Sequence, residues 1–354
     1  MHNIYYSLTL IIGEYMKKEQ NTQKYYSNIE NIKPEIYYHY TSLEALLGII
    51  KNQSFRLTNL VSSNDRRELS YKLSKFIKDV KFIYSTEKNL TYRNILKLFI
   101  NSYENNKDSF KKKCTKTCDV YGLCLSEKKD NLTHWDRYAD GCKGVCIGIN
   151  VSAFEVYAQR MNNIFFGRNI ISNGKVLYDD VARRDNIKKF IIEYSKYVSN
   201  NQYLSDEMKV KIIEDDGYRF LSLIYLKLRN LVKNLSFVDE DEIRLYFEEN
   251  STRDILNMIQ TIEQEVETND FLQLKESYNK MINSYNLNNI NFYISKYGIR
   301  SYKELSLKEI WGSGLITEIM LGPMCSQSQK ELKKLLEEYS LEDTIISMSK
   351  VPIR

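Results

Sequence analysis

The sequence contains little histidine, proline or tryptophan, and it has no long hydrophobic run. Three histidines, three prolines and two tryptophans occur among 354 residues. No stretch approaches the ~20 apolar residues that a membrane-spanning helix requires. Residues 1–20 lack the basic region and the small-residue cleavage site of a signal peptide. We therefore expect a cytoplasmic protein without a membrane partner, in which the six cysteines are thiols, metal ligands or core residues rather than disulfides.

The charge balance of the chain is close to neutral. There are 51 basic and 46 acidic residues, which give a net charge of +5. So small an excess does not by itself indicate a nucleic-acid partner, because dispersed lysines usually form a solvated surface. The lysine-rich stretch at 108–118 is either such a solvated loop or a contact for a nucleic-acid acceptor. The composition is that of a soluble globular protein of one large domain or two ordinary ones.

Common catalytic and nucleotide-binding motifs are absent from the sequence. It has no Walker loop, no G-x-G-x-x-G after a strand, no G-x-S-x-G and no H-E-x-x-H. The pairs Cys114/Cys118 and Cys142/Cys146 have a spacing that zinc sites tolerate. Cys124 and Cys146, however, fit the alternation of predicted strands, where cysteine acts as a small hydrophobe. We expect no bound metal.

Hydrophobic periodicity predicts short strands that are dispersed among helices. The spacing is not that of repeated strand–helix–strand units, so we predict an α+β fold with a small mixed or antiparallel sheet. An N-terminal arm or helix (1–35) precedes a single domain (36–354), which contains a large helical insertion. The predicted strands are 36–41, 54–60, 119–127, 144–150, 174–181, 242–249, 316–323 and 344–352. The predicted helices are 43–52, 70–113, 130–142, 182–234, 253–310 and 328–341.

His39 lies on a short aromatic strand whose next residues start a helix. One interpretation is a core histidine whose ring bonds a backbone carbonyl. The other is a ligand contact, because strand ends and helix N-termini often meet small molecules. The neighbouring Tyr40, Thr41 and Ser42 would add a stacking surface and hydroxyl donors to such a site.

Three further groups of residues are candidates for chemistry. Asn64 and Asp65 either cap the next helix, with Glu68 completing a capping box, or belong to a site. Trp135 either packs in the core or lines a site together with Tyr138. Glu240, Glu242 and Arg244 are predicted to point the same way around the start of a strand, as a salt-bridged sheet edge or as a catalytic carboxylate held by arginine.

Six segments resemble, in order, the bacterial domain of unknown function 2971. They are "YYHYTSLEALLGIIKNQSFRLTN", "SNDRREL", "GLCLSEKKDNLTHWDRYADGCKGVCIGIN", "GKVLYDD", "FVDEDEIRL" and "ITEIMLGP". The resemblance covers roughly 36–345, although the stretch near 250–310 has no counterpart. The opening also looks like the first strand and helix of ADP-ribosyltransferase-like folds, which begin with a histidine-bearing strand and end at a strand-borne glutamate.

This resemblance implies an enzyme that uses NAD as its substrate. His39, with Tyr40, Thr41 and Ser42, would bind the adenosine-side ribose, and Tyr138 or Trp135 would stack on nicotinamide. Glu240 or Glu242, with Arg244 nearby, would hold the nicotinamide ribose. Loss of nicotinamide builds positive charge on the ribose, which a fixed carboxylate stabilises. Asn64, Asp65 and Glu68 would contribute to substrate binding.

The resemblance also implies a biological setting and leaves rivals open. Such a transferase would modify a protein or a nucleic acid, as a bacterial toxin or an anti-phage defence effector. One rival is a non-enzymatic module that binds a nucleotide or a partner. The other is a metal-dependent hydrolase or nuclease that uses Asp65, Glu68, Glu240 and Glu242.

Overall fold

The structure is a computed structural model that describes most of the chain. The described residues are 34–62, 71–115, 119–154, 156, 171–200, 205–249, 276, 279–280, 282–295 and 298–352. They fall into two compact units. Residues 71–115 and 177–235 form the helical unit, and residues 34–62, 119–176 and 236–352 form the sheet unit, each within its described parts.

Within the described residues, the structure gives the bounds of eight α-helices and ten strands. The helices are α1 (Leu43–Asn52), α2 (Leu73–Thr86), α3 (Leu90–Asn105), α4 (Lys107–Cys114), α5 (Leu132–Tyr138), α6 (Asp180–Ser199), α7 (Asp206–Arg229) and α8 (Gln329–Glu338). The strands are β1 (Ile36–Thr41), β2 (Ser54–Asn59), β3 (Val120–Ser126), β4 (Val145–Asn150), β5 (Ser172–Lys175), β6 (Glu242–Glu248), β7 (Asn291–Ser295), β8 (Gly298–Ser306), β9 (Ile316–Leu321) and β10 (Ile345–Met348).

All ten strands belong to one sheet. Its main path is β10-β9-β4-β1-β3-β2-β8-β7, with β6 paired to β3 and β5 paired to β6. The β9–β10 pair is parallel, and the other described strand pairs are antiparallel. Of the two predicted alternatives, mixed or antiparallel, the sheet is mixed, and its ten strands make it larger than the small sheet that we expected.

The sheet splits beside β3. Strand β6 pairs with β3 along its whole length, from Val120 to Ser126. Strands β1 and β2 must therefore share the other edge of β3. Strand β1 meets that edge at Ser126, and β2 meets it at Tyr121 and Gly122. Neither ladder includes Leu123, Cys124 or Leu125 on that edge, and we call this stretch between the two pairing points the wedge.

The two faces of the sheet differ in chemistry around β3 and β6. Ile243, Leu245 and Phe247 point to one face and join the main hydrophobic core of the sheet unit. The alternate residues Glu242 and Arg244 point to the other face, because side chains alternate along a strand. On that second face α5 packs against β1 through a smaller cluster: Tyr40, Trp135, Ala139, Cys142, Cys146 and Met320.

The helical unit has a hydrophobic core of its own and a buried ionic cluster. Phe76, Phe99 and Leu221 are fully buried in that core. Asp79, also buried, accepts bonds from the Tyr71 hydroxyl at 2.9 Å and from Arg183 Nε at 2.8 Å. The cluster joins α2 to α6. The predicted helix-rich segment 182–234 lies in this unit, together with most of the predicted helical stretch 70–113.

Two predicted elements differ from the structure. The expected helix 253–310 contains the hairpin β7–β8, and residues 251–275 lie outside the described residues. The hairpin suits its sequence, because "NFYIS" is rich in aromatic and branched residues and Gly298 adopts φ +107° at the turn. The expected strand 174–181 ends early, since β5 stops at Lys175 and α6 begins at Asp180.

Candidate functional site

The short helix α5 carries the first group of candidate residues. Asn131 caps its N-terminus, because its side chain accepts the His134 backbone N–H at 3.2 Å. The helix ends after two turns, and Gly141 follows with φ +57°. Within so short a helix, His134 and Tyr138 lie one turn apart on the same face, with ring centroids separated by 5.9 Å.

Tyr138 contacts one of the two candidate glutamates. Its hydroxyl donates to Glu240 Oε1 at 2.5 Å, and 41% of the residue surface is exposed. Glu240 is the last residue of a 3-10 turn, Leu235–Glu240, that precedes β6, and it is partly exposed. Glu240 therefore precedes the strand, and it is a partly exposed residue beside an exposed tyrosine.

Glu242 has different surroundings from Glu240. It is the first residue of β6, and it is 2% exposed. Its Oε1 accepts from both Nε and Nη2 of Arg244 at 2.8 Å, and Arg244 is completely buried. Glu242 and Arg244 lie on the same side of β6, whereas Glu240 lies in the turn before it. Their contact is a buried ion pair within the fold.

His39 lies in the wedge between β1 and β2. Its Nδ1 is 3.1 Å from the carbonyl oxygen of Cys124, and its ring is 6.3 Å from that of Phe55. A carbonyl only accepts, so Nδ1 carries the proton. Desolvation lowers the pKa of His39, which favours the neutral ring. His39 is partly exposed, and within the described part of the chain no bond reaches its Nε2. The ring therefore presents a hydrogen-bond acceptor.

The neighbours of His39 make structural contacts. Tyr40 is buried, and its hydroxyl donates to the Lys128 carbonyl at 2.9 Å and accepts from Asn131 N at 3.0 Å. Ser42 caps α1 by accepting from Ala45 N at 3.1 Å. Thr41 ends β1 opposite Val145 of β4. These three residues hold β1, α1 and α5 in place around the wedge.

Trp135 is fully buried on α5. Its indole N–H donates to Asp130 Oδ1 at 2.8 Å, and its ring meets Tyr40 edge-on at 4.9 Å. Trp135 is therefore in the core of the second face. Asn64, Asp65 and Glu68, the predicted substrate-binding residues, lie outside the described residues.

The structure brings some of the candidates together and separates others. Tyr138 and Glu240 are in contact, as are Glu242 and Arg244. Tyr38, Ser126 and Glu242 form one row across three strands, so His39, the residue after Tyr38, projects from the opposite face to Glu242. Glu240 and His39 nevertheless both attach near the C-terminal end of β3.

Two residues at this site were not singled out by sequence reasoning as site residues. His134 is buried, with Nε2 3.0 Å from the Glu240 carbonyl oxygen, and the Ser126 hydroxyl donates to the same oxygen at 2.9 Å. A signal for His134 was present, since it lies four residues before Tyr138 on a capped helix. Nothing in the alternating pattern of β3 distinguishes Ser126.

Metal ligation receives no support from the described side chains. Within the described ranges, no group of three or more His, Cys, Asp or Glu side chains is arranged to hold a metal ion. Cys114, Cys142 and Cys146 are buried free thiols, and burial raises the pKa of Cys114 and of Cys146 to about 12. Cys118 lies outside the described residues. The described helices include none that is long and apolar enough to cross a membrane.

Part of the chain is similar to the family that the sequence motifs resemble. Residues 134–245 match the family model described as protein of unknown function (DUF2971), about a third of the sequence. This match begins at His134 and ends within β6, so it includes Tyr138, Glu240, Glu242 and Arg244 but not His39. No curated protein and no solved structure matches the chain.

Proposed function

We propose that the protein is an NAD-consuming ADP-ribosyltransferase whose catalytic carboxylate is Glu240. In this proposal His39 binds the adenosine-side ribose of NAD, and Tyr138 faces the nicotinamide end. The acceptor is a macromolecule, either a protein or a nucleic acid. The proposal combines the sequence resemblance with the surroundings of these three residues.

The attachment of both His39 and Glu240 to the end of β3 carries the proposal. His39 bonds the carbonyl of Cys124, and Glu240 is bonded through its carbonyl to Ser126. These two attachment points are two residues apart, about 7 Å along the strand. A dinucleotide is longer than this. In the proposal NAD passes around the end of β3, because His39 projects from the face opposite to the one on which α5 packs.

The tautomer of His39 restricts the group that it binds. Its Nδ1 donates to Cys124, so the neutral ring offers only the lone pair of Nε2 to a ligand. A hydroxyl or an N–H satisfies that lone pair, whereas an ionised phosphate has no proton to donate. The ribose hydroxyls of NAD meet this requirement.

Glu240 is better suited to catalysis than Glu242. Glu240 is a partly exposed residue whose carboxylate accepts from Tyr138, whereas Glu242 is buried and its carboxylate bonds Arg244. In the reaction the bond between ribose C1′ and the nicotinamide nitrogen breaks, and its electron pair leaves with nicotinamide. The acceptor then bonds to C1′ and loses a proton. Glu240 stabilises the positive charge that the ribose carries between these events.

Tyr138 is the aromatic residue that remains available for nicotinamide. It is 41% exposed, whereas Trp135 is fully buried. Its hydroxyl is held by Glu240, which orients the ring next to the carboxylate. A stacked nicotinamide would then lie close to the group that stabilises the ribose.

The proposal is tested by measuring nicotinamide release from NAD by the purified protein, with cell lysate supplied as a source of acceptors. We expect release that persists with EDTA and is strongly reduced in His39→Ala. Loss of release with EDTA would instead indicate the metal-dependent hydrolase. NAD-dependent thermal stabilisation without release would indicate the binding module, and an absence of both would overturn NAD as the ligand.

A further inference from the structure

We propose that His134 is the positioning residue for Glu240, because α5 contacts that glutamate at two points, through Tyr138 and through His134. We call this pair of contacts the two-point grip. Tyr138 donates to the carboxylate at 2.5 Å, and His134 Nε2 lies 3.0 Å from the carbonyl oxygen of the same residue. The two side chains lie one helical turn apart, so a single rigid helix fixes both the backbone and the side chain of Glu240. The catalytic part of this inference rests on the proposed function.

An unusual backbone conformation follows the turn that ends at Glu240. Asp241, the next residue, adopts φ +38°, a left-handed conformation that a residue with a side chain rarely takes. Strained positions persist only where their surroundings determine them. The Glu240 carbonyl receives the Ser126 hydroxyl at 2.9 Å in addition to His134. Strand β3 and helix α5 together therefore fix the strained turn.

The protonation of His134 controls how completely this grip forms. Its Nδ1 is 2.9 Å from Asn131 Oδ1, which is an acceptor because it already receives the His134 backbone N–H. Both ring nitrogens thus face acceptors. A neutral imidazole donates to only one of them, and an imidazolium donates to both. Protonation therefore adds one hydrogen bond between α5 and its neighbours.

Some groups around His134 lower its pKa and others raise it. Desolvation is the main cause that lowers its pKa, and the positive charge of Lys128 acts the same way. The Glu240 carbonyl, the Glu240 carboxylate and Asp241 oppose that effect. The rings of Tyr40 and Tyr138 complete the surroundings at 5.0 and 5.9 Å. The complete grip is consequently favoured on the acidic side of neutrality.

The test compares His134→Leu with His134→Gln, whose amide N–H retains a donor. We measure kcat and KM for nicotinamide release against pH, and backbone amide exchange at residues 239–242. His134→Leu is expected to lower kcat by up to about 10²-fold with little change in KM, and to speed amide exchange there. His134→Gln should recover part of both losses and lack the acid-side inflection of the kcat profile.

Several outcomes are decisive. Unchanged exchange and unchanged kcat in His134→Leu would overturn the grip, as would equal losses in the Leu and Gln variants. Amide exchange does not depend on NAD, so it tests the grip even if the wild type releases no nicotinamide. If His134→Leu does not fold, Tyr138→Phe removes the other contact and must alter amide exchange at 239–242, and unchanged exchange there overturns the two-point grip.

Discussion

Glu240 and Glu242 are two residues apart and play different parts in the fold. Glu242 is buried and bonded to the buried Arg244, whereas Glu240 is partly exposed. Glu242→Gln should therefore lower the free energy of unfolding by about 3–5 kcal/mol, because a buried arginine loses its carboxylate. Glu240→Gln should change it by about 1 kcal/mol or less. Urea unfolding followed by circular dichroism measures both.

The pair of variants is matched in chemistry and nearly matched in position. Equal losses of stability would contradict the different surroundings of the two glutamates. Sequence reasoning found both residues but could not separate them, because the alternating pattern does not reveal that Glu240 ends a 3-10 turn. Burial and the contact with Tyr138 distinguish them, and both depend on packing between distant segments.

His39 gives the protein a pH-dependent stability. Its folded-state pKa is lowered below its ordinary value, so the fold favours the neutral ring. This stability is present above about pH 6.5, the unfolded pKa, and is lost as the pH falls through the folded pKa. We expect the unfolding free energy of His39→Gln to fall less than that of the wild type between pH 7.5 and 5.

His134 serves as an internal reference when the wild type is compared with His39→Gln. His134 also has a lowered pKa, and it contributes a slope of the same sign that His39→Gln retains. Parallel curves for the wild type and His39→Gln would show that the His39 pKa is not lowered in the folded state. The fold would then not favour the neutral ring, on which the assignment of Nε2 as an acceptor depends.

At the scale of elements, the junction of β1, α5 and β4 depends on close backbone packing. A Cβ added at Gly144 would lie 2.2 Å from the Thr41 carbonyl oxygen. This oxygen belongs to the backbone, so relieving the clash would require the backbone to move. Gly144→Ala is therefore expected to destabilise the protein by about 1–3 kcal/mol or more. The measurement is the midpoint of urea unfolding.

Gly48 provides the control for this prediction. It lies within α1, and nothing is within 4 Å of a Cβ added there. Gly48→Ala should stabilise the protein by up to about 1 kcal/mol, since alanine favours a helix. A Gly144→Ala variant as stable as Gly48→Ala would contradict the close packing of β1 and β4 beside Thr41.

Elements with a strong local pattern were predictable, and those set by distant partners were not. Strand β1 and helix α1 were predicted with their observed bounds, because alternation, the Ser42 cap and the apolar spacing agree. The β7–β8 hairpin was missed, since its polar and asparagine-rich surroundings resembled a helix interrupted by breaks. The wedge beside β3 could not be predicted, as it depends on β6 occupying the other edge.

At the scale of the whole molecule, the sequence analysis did not predict the division into two compact units. The helical unit is assembled from residues 71–115 and 177–235, which the sequence separates by part of the sheet unit. Local periodicity shows that both segments are helical but not that they share a core. The α+β class was predictable, because the sequence shows dispersed short strands between helices. The ordered motifs also carry the resemblance to the family model that matches residues 134–245.

The proposed activity depends on one chemical step, the cleavage of NAD with the support of Glu240. The measurement that tests it most directly is the rate of nicotinamide release by wild type, Glu240→Gln and Glu242→Gln, each corrected for its folded fraction. We predict release by the wild type, a rate on the order of 10²–10³ lower for Glu240→Gln, and a rate near that of wild type for folded Glu242→Gln. Release by Glu240→Gln at the wild-type rate, or none by the wild type with cell lysate present, would contradict the claim.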